Sequence, residues 1–221
     1  MFKTETHIHT QEVSHCGRLG AREIVRKYKE AGYSTIFITD HLQTNTIVGF
    51  GDIDWKDKVE KFLHGYYVAK DEGDKIGVNV LLGAEIGLVG LPNHYLAYGI
   101  TKEFLEKHPN IHTYDIEKFY NVARENWVLI VQAHPYRDGS CFPTPDFIDG
   151  VEVYNSNPRH HDFSEKSQAL AKEHNLFVIG GSDTHREEDV ALSGIETDVE
   201  IKSVEEFIEL VKSGNVKIIR G

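Results

Sequence analysis

Two pairs of side chains that commonly bind metals, one near each end of the chain, have the same spacing. His7 and His9 are separated by one residue, as are Asp183 and His185, and each pair lies at the end of a predicted strand. Side chains two residues apart on a strand share a face, so the members of each pair point the same way. Histidine is the commonest metal ligand and a common general acid or base. We expect Glu5, on the face of the first pair, to orient one imidazole.

One such pair alone would be equally compatible with solvated side chains at a strand end. Further candidate ligands, however, also lie at the ends of apolar runs. His41 and His134 follow apolar runs, and His94 opens another. Glu85 lies inside an apolar run, and burying a carboxylate is costly unless it is paired or bound to a cation. A histidine used structurally has no reason to recur at these boundaries, so we predict a metal site. Its candidate ligands are His7, His9, His15, His41, Glu85, His94, His134, Asp183 and His185.

The ligand chemistry restricts the choice of metal. Nitrogen and carboxylate ligands without paired thiolates suit Zn²⁺, Mn²⁺ or Fe²⁺. Cys16, next to His15, is interpreted as a bystander, although a soft ligand or a reactive thiol is the alternative. Among the remaining histidines, His160 and His161 stay ambiguous in a loop. The other four are expected to be solvated: His64, His108, His112 and His174.

The elements that must position these residues alternate between strands and helices. Strands are predicted at residues 2–9, 35–39, 78–86, 95–100, 127–133, 151–154, 177–181 and 216–219, and helices at 21–31, 55–74, 115–125, 164–174 and 204–213. This alternation is typical of βα units and a largely parallel sheet, whose active sites lie at the carboxyl ends of the strands. We expect a single α/β domain over residues 1–221, a closed or nearly closed barrel. A doubly wound open sheet is the alternative, but no Gly-rich phosphate loop supports it.

Composition and charge narrow the functional class. The chain has 24 Lys and Arg against 35 Asp and Glu, a net charge of −11. That sign disfavours nucleic acid and anionic membranes as partners, because phosphate-backbone binders depend on clustered basic residues. No apolar run approaches the roughly 20 residues of a transmembrane helix, and the first residues do not resemble a secretory signal. With only two cysteines, Cys16 and Cys141, the chain is expected to be cytoplasmic.

Taken together and in order, these motifs resemble those of the PHP family, named for polymerase and histidinol phosphatase domains. The matching segments are residues 6–10, 39–41, 83–85, 93–94, 133–135 and 181–185. A single H-x-H is weak evidence, whereas six ordered motifs over nearly the whole chain are strong. The resemblance implies a distorted TIM-like barrel of seven βα units, with a dinuclear or trinuclear centre at the carboxyl ends of its strands.

The resemblance also implies how two to three divalent ions are shared among the ligands. The first ion is expected to bind His7, His9, Glu85 and Asp183, and Glu85 to bridge to a second ion held by His94 and His134. A third is expected to bind His15, matching the extra ligand of three-metal members, with His41 and His185. Asp40 is expected to orient a ligand or to carry a proton in catalysis.

Such a centre predicts phosphoester hydrolysis. Divalent ions lower the pKa of bound water to about 7, which supplies a bridging hydroxide to attack phosphorus. Arg137 and Arg159 are the expected catalytic cations that bind the phosphoryl oxygens, because a guanidinium matches phosphate geometry. Arg18 is a weaker candidate. Asn155 is expected to hydrogen-bond a ligand or a bound water, or else to cap the following turn.

The predicted function is therefore hydrolysis of a small phosphomonoester that resembles histidinol phosphate or a nucleotide. One alternative is a nuclease or proofreading-type exonuclease, which needs a basic groove. Another is a regulatory module with structural metals, against which open water positions weigh. The insertion at residues 43–77 carries Trp55, Phe62, Tyr66 and Tyr67. These aromatic side chains are interpreted as helix packing, with a substrate lid or wall as the alternative.

Overall fold

The strands of the chain join in one sheet, and helices connect most of them. The computed structural model describes residues 1–161 and 163–221, and within them ten strands form the sheet. The strands are β1 (Phe2–Glu5), β2 (Thr35–Ile38), β3 (His41–Leu42), β4 (Asn79–Gly87), β5 (His94–Tyr98), β6 (Leu129–Gln132), β7 (Gly150–Asn155), β8 (Phe177–Gly181), β9 (Ser193–Thr197) and β10 (Lys217–Arg220). The α-helices are α1 (Ala21–Glu30), α2 (Thr44–Gly49), α3 (Trp55–Ile76), α4 (Lys102–Lys107), α5 (Ile116–Glu125), α6 (Ser164–His174) and α7 (Val204–Ser213).

Two strands of the sheet run against their neighbours. The strand order is β10-β9-β1-β2-β4-β5-β6-β7-β8, with β3 paired to β4. The β1–β2, β2–β4, β6–β7 and β7–β8 pairs are parallel, as predicted, whereas β5 and β9 are antiparallel to both neighbours. Because β5 is reversed, its first residue His94 pairs with Gly87 at the carboxyl end of β4. A ligand that opens a strand therefore reaches the same end of the barrel as ligands that follow strands.

The segments after β1 and β8 meet and nearly close the sheet into a barrel. Ile8 forms a parallel bridge with Thr184, and the His9 N–H donates to the Thr184 carbonyl at 2.9 Å. Nearby, a Cβ on Gly180 would lie 2.6 Å from the Ile218 side chain, so β8 approaches β10 only because a glycine stands there. The fold class is the predicted α/β barrel, and the open doubly wound sheet is excluded.

Apolar packing holds this scaffold rigid beneath the candidate ligands. Phe37 of β2, Tyr98 of β5 and Phe207 of α7 are fully buried, with ring centroids 4.7 to 5.0 Å apart. Burying one such side chain stabilises the fold by about 1.5–3 kcal/mol. None of the described helices is both long enough and apolar enough to span a bilayer.

The insertion at residues 43–77 forms α2 and α3 and packs against the barrel. Phe62 is buried in the core, and the Trp55 indole N–H donates to the Leu105 carbonyl at 2.7 Å. Tyr66 packs against the same side of the barrel as α1, and Tyr67 is exposed. The packing interpretation therefore agrees with the positions of Trp55, Phe62 and Tyr66 but not with that of Tyr67.

Helix boundaries agree with the sequence better than strand boundaries do. The predictions for α6 and α7 match residue for residue, and α7 follows Ser203, whose hydroxyl accepts the Glu206 N–H. The first strand ends at Glu5 rather than at His9, and β9 was not predicted. Gly194 in β9 has a φ of 133°, and a glycine inside a short strand weakens its pattern.

Candidate metal centre

Glu85 is the residue around which the candidate ligands gather. It lies in β4, is 1% exposed, and its Oε2 is 2.7 Å from Nδ1 of His41. Burial raises the pKa of the Glu85 carboxyl, but the neighbouring histidines outweigh burial and hold that pKa well below its usual range. Imidazole nitrogens within 3.5 Å of its two oxygens belong to His7, His9, His41, His94 and His134.

A second carboxylate, Asp183, closes the cluster from the β8 side. Its Oδ1 lies 3.4 Å from Nε2 of His7, 3.3 Å from Nε2 of His9 and 3.3 Å from Nδ1 of His185. Burial raises the pKa of Asp183, and the adjacent positive charges outweigh it, so the pKa lies well below the usual range. Both carboxylates are therefore ionised over the pH range in which histidine titrates.

The donor atoms of the cluster fit metal ions. Nε2 of His7 and Nε2 of His9 lie 3.1 Å apart, and Oδ1 of Asp183 lies within 3.4 Å of both. Oε2 of Glu85 and Nδ1 of His41 lie 2.7 Å apart but do not have the geometry of a hydrogen bond, and neither has another partner among the described residues. A buried polar atom needs such a partner or a cation. Three sets have all their ligand atoms within 4.8 Å of one another: His7, His9 and Glu85; His41, Glu85 and His94; and His9, His41 and His185.

Two of the candidate ligands have a left-handed backbone. His134 has a φ of 30° and Asp183 a φ of 52°, each just after a strand. A non-glycine residue in such a conformation costs about 1–3 kcal/mol, and such residues are concentrated at functional sites. The chain turns sharply here, which aims both side chains at the cluster.

Glu152 supports the cluster, and sequence reasoning missed it. This buried residue of β7 has Oε1 at 2.8 Å from Nδ1 of His7, while its Oε2 accepts the His134 backbone N–H at 3.0 Å. It therefore orients one imidazole and fixes the strained turn that carries another. The signal was present, because Glu152 stands between two valines in an apolar run, as Glu85 does in its own.

Glu5 does not perform the predicted role of orienting an imidazole. Its Oε1 accepts the backbone N–H groups of Thr6, His7 and Ser182 at 2.9 to 3.0 Å, and Oε2 accepts the Tyr28 hydroxyl. Burial raises the pKa of Glu5 to about 7. The side chain instead joins the backbone after β1 to the backbone after β8, so it acts on barrel closure.

Asp40 lies beneath the ligands rather than in the cavity. Its Oδ1 accepts the Thr10 N–H and the Ser14 hydroxyl, and Oδ2 accepts the Thr10 hydroxyl, all at 2.7 Å. The Ser14 Oγ lies 3.4 Å from Nδ1 of His9. Burial raises the pKa of Asp40 to about 6. The geometry favours a positioning residue for His9 over a proton carrier.

The structure does not bring His15 to the cluster. It is exposed, and a Cβ on Gly49 of α2 would lie 2.8 Å from its Nε2. The next residue, Cys16, is also exposed and lines the cavity beside the cluster. Burial raises the pKa of the Cys16 thiol, but the neighbouring His185 and His41 outweigh burial and lower the pKa to about 6.

A cavity of about 280 Å³ opens beside the cluster and is lined by three arginines, Arg137, Arg159 and Arg186. The Arg137 Nη2 donates to Oδ2 of Asp183 at 2.7 Å. Both terminal nitrogens of Arg159 donate to the Asp189 carboxylate at 2.6 Å, which fixes the guanidinium plane. Arg186 was not predicted, although it directly follows His185.

The remaining residues predicted from the sequence lie in or away from the site as follows. Asn155 hydrogen-bonds both Arg137 and Glu152 at 2.8 Å, and it also accepts the Asn157 N–H, so it supports the site and caps the turn. Arg18 is exposed and does not line the cavity. His112, expected to be solvated, is 4% exposed and lies against Trp55.

Comparisons with known proteins agree with this geometry. No curated protein sequence matches the chain significantly. Solved structures that match at the level of the fold include a two-domain protein from Bacteroides vulgatus containing a predicted PHP-like metal-dependent phosphoesterase (17% identity, TM-score 0.76, covering 99% of this chain and 64% of that one). Another is an amidohydrolase from Chromobacterium violaceum with bound sulfate and no metal (16%, 0.60, 97% of each chain). A third is a lesion-specific endonuclease from Pyrococcus furiosus (18%, 0.63, 98% and 57%).

The Bacteroides and Pyrococcus proteins share the fold of this chain but are longer. The chain covers 64% of the first and 57% of the second. A family model described as the PHP domain matches residues 5–213, from the glutamate before the first histidine pair to the end of α7. This range includes every candidate ligand of the cluster. The chain therefore belongs to the PHP domain family.

Proposed function

We propose that this protein hydrolyses a small phosphomonoester with the help of two to three divalent ions, Zn²⁺, Mn²⁺ or Fe²⁺. The observation that carries the proposal is the juxtaposition of the histidine–carboxylate cluster with a cavity that three arginines line. A metabolite that carries one phosphate would place that group between the ions and the guanidinium groups. Its leaving group would extend towards the mouth of the cavity.

The residues that would hold the ions follow from their proximity. His7, His9, Glu85 and Asp183 surround one position. Around a second position lie Glu85 and the three imidazoles of His41, His94 and His134. Divalent ions supply Lewis acidity and lower the pKa of a coordinated water to about 7.

The protein's own side chains would bind and orient the phosphate. Arg137 is held by Asp183, and Arg159 by Asp189, so both guanidinium groups are ordered before a substrate arrives. Ordered guanidinium groups lose little entropy on binding and match phosphate oxygens in pairs. Glu152 would keep His7 in the tautomer that leaves Nε2 free for a metal, because Nδ1–H donates to its carboxylate.

The charge of the molecule favours a small ester over a polyanion. A net charge of −11 repels a long strand along most of the surface, whereas a single phosphate meets the locally cationic cavity at short range. The cavity volume of about 280 Å³ is near the lower end of ordinary ligand pockets. This size suits a substrate no larger than a phosphorylated amino alcohol or a nucleotide.

The proposal is tested by a screen of phosphorylated metabolites with metal-loaded protein. We expect two to three metal equivalents by elemental analysis, hydrolysis of at least one monoester, and loss of activity on chelation. Glu85→Gln is the matched inactive variant, because it removes the charge shared by the ligands. Full activity at less than one metal equivalent, or no turnover of any monoester by the loaded protein, would contradict the proposal.

The arginines provide a second test. We expect Arg159→Ala and Arg186→Ala to raise KM for the monoester or to lower kcat by about tenfold or more, since one charge-assisted contact contributes about 1.5–3 kcal/mol. Arg18→Ala is the control, because Arg18 is exposed and outside the cavity. An Arg159 variant with the kinetics of the Arg18 control would remove Arg159 from the substrate site.

A nuclease is the second candidate function, because the Pyrococcus protein that shares the fold is an endonuclease. A nuclease held by Lys and Arg contacts would lose affinity steeply as salt rises. Salt screens charges over about 8 Å at physiological strength, so capture of one phosphate at short range should change little. Hydrolysis of monoesters and of single-stranded DNA should be compared at low and moderate salt. Salt-sensitive DNA cleavage without monoester turnover would replace the proposed function by this alternative.

A further inference from the structure

We propose that Asp189 is a positioning residue that couples the side chain of Arg159 to the backbone of the candidate metal ligand His185. The inference rests on the proposed function, and it adds a residue that does not itself line the cavity. One buried carboxylate would then set the distance between a cation that binds the phosphate and the segment that binds metal.

The carboxylate of Asp189 holds the segment that follows β8. Asp189 ends a short 3₁₀-helix, Glu187–Asp189, and is fully buried. Its Oδ2 accepts the backbone N–H of His185 at 2.9 Å and that of Arg186 at 2.8 Å. A buried carboxylate is costly unless it is hydrogen-bonded and paired with a cation. The backbone N–H groups meet the first need, and a neighbouring guanidinium meets the second.

Arg159 supplies that guanidinium. Its Nη1 donates to Oδ1 of Asp189 and its Nη2 to Oδ2, both at 2.6 Å. This paired contact uses two of the five N–H donors of a guanidinium, so the others stay free for phosphate oxygens. The Arg159 side chain is 27% exposed and lines the cavity. The side chain that Asp189 holds is therefore one that a substrate in the cavity would meet.

A second set of hydrogen bonds places the backbone of Arg159 independently of Asp189. The Arg159 N–H donates to Oδ1 of Asn157 at 3.1 Å, and the Asn157 amide donates to the Asp183 carbonyl at 3.2 Å. The loop is therefore held next to the metal-binding segment without the carboxylate, which fixes the direction of the guanidinium. This separation allows the positioning role to be tested without loss of the loop.

Glu188 would compete for Arg159 if the charge of Asp189 were removed. Its Oε1 lies 3.7 Å from Nη1 of Arg159, and its side chain is 57% exposed. An exposed ion pair holds its partners loosely, because solvent screens the charges and both side chains stay mobile. Arg159 would then no longer present one fixed plane to a phosphate, and binding would have to order it.

The test is the affinity of metal-loaded protein for inorganic phosphate, measured by calorimetry. In Asp189→Asn the amide oxygen can still accept the two backbone N–H groups, while the amide nitrogen faces a donor of Arg159. We expect this variant to bind phosphate about fivefold or more weakly and to keep its metal affinity, measured by competition with a chelator. Glu188→Gln is the matched control, because it removes the same charge one residue away, and its phosphate affinity should stay within about twofold of the wild type.

A double-mutant cycle separates positioning from a structural effect. In the Arg159→Ala background, Asp189→Asn should not weaken phosphate binding further, because the residue through which Asp189 acts is gone. Asp189→Ala also releases the N–H groups of His185 and Arg186. It should therefore weaken metal binding as well, by about tenfold.

Phosphate binding by Asp189→Asn that equals or exceeds that of the wild type would overturn the proposal, because Asp189 would then act as an opposing charge. An equal loss in Glu188→Gln, additive losses in the two backgrounds, or a loss of metal affinity in Asp189→Asn would also overturn it. A metal-loaded wild type without measurable phosphate binding would overturn this proposal and the proposed function together. A wild type that binds phosphate with the expected variant pattern, yet hydrolyses no monoester, would contradict the proposed function and leave the positioning role standing.

Discussion

Glu85 and Glu152 are both glutamates in apolar strands, yet their carboxylates have different contacts. Glu85 contacts imidazole nitrogens with both oxygens, and one of these oxygens has no hydrogen-bond donor among the described residues. Glu152 has its oxygens occupied by His7, by the His134 backbone and by Asn155. The difference in free lone pairs separates a residue that can ligate from one that positions ligands.

Glu152→Gln should weaken metal binding by about 10–100-fold, the usual cost of losing a partner that orients a ligand. A glutamine can accept from His7 with its oxygen, but its amide then faces the His134 N–H and the Asn155 amide, both of which donate. Metal affinity by competition with a chelator measures the effect. Glu196→Gln on β9 is the control, and equal affinities for the two variants would exclude the positioning role.

At the scale of elements, α3 supports the site from beneath. Gly65 of α3 faces Thr10 and Asp40, and a Cβ there would lie 2.3 Å from the Thr10 Oγ1 and 2.7 Å from Asp40 Oδ2. The loop that carries Ser14 and Cys16 depends on those Asp40 hydrogen bonds. The inserted helix is therefore coupled to the ligand loop, although its aromatic residues do not line the cavity.

Gly65→Ala should destabilise the protein by about 1–3 kcal/mol, the usual cost of overpacking a buried contact. It should also weaken the metal position served by the 10–16 loop. Denaturant unfolding and metal content measure the two effects. His64→Ala, at an exposed position of the same helix, should change the free energy of unfolding by no more than about 0.5 kcal/mol. Indistinguishable variants would show that α3 does not constrain the loop.

The contact between α3 and the short helix at Ile111–Thr113 predicts a pH dependence. Burial, and then Lys58, lower the pKa of His112 below its usual value. The unfolded chain consequently binds more protons near that pH, so this contribution to stability is full above about pH 6.5 and is lost as the pH falls towards the lowered pKa. His112→Phe should keep the stacking on Trp55 and remove the loss.

In thermal unfolding of metal-free protein, the Tm of the His112→Phe variant should therefore rise relative to that of the wild type as the pH falls from 7.5 to 5.5. His64→Phe, which replaces an exposed histidine on α3, is the control. A constant difference in Tm across that range would mean that His112 does not couple protonation to folding.

At the scale of the whole molecule, the ligand cluster joins distant strands of the barrel. Ligands follow β1, β6 and β8, lie within β4, and open β3 and β5, so bound ions would add connections between segments from six strands. The two strained turns at His134 and Asp183 add a local cost that ligation would offset. Ion binding should therefore stabilise the barrel as one unit.

When the free metal concentration is 100 times the Kd of a site, the ion bound there should add about 2.7 kcal/mol to the free energy of unfolding. For a chain of this size that corresponds to an increase in Tm of about 5–10 °C per site. Calorimetry of chelated and metal-loaded protein measures the shift, and Glu85→Gln should show a smaller shift than the wild type. Equal melting temperatures with and without metal would mean that the cluster does not bind ions in the folded state.

The sequence by itself determined the ligand types, their positions at strand ends and the two helices α6 and α7. These features depend on residues close along the chain: side-chain spacing on a strand, a serine before a helix and a glycine after it. The resemblance of six ordered motifs also indicated the family. An acidic residue in an apolar run identified Glu85 as a candidate ligand. Glu152 also lies in an apolar run, but it was not predicted.

Only the tertiary structure decided which neighbours complete the site. Glu152 meets His7 across 145 residues of sequence, and no local pattern carries that pairing. The reversed β5 explains why His94 opens its strand, and that direction depends on pairing with β4 and β6. The exposed position of His15 depends on the turn that follows it, in which the Arg18 N–H donates to the His185 carbonyl and Gly17 closely approaches Thr10. Adjacent residues in a turn point in different directions, so spacing along the chain cannot choose between them.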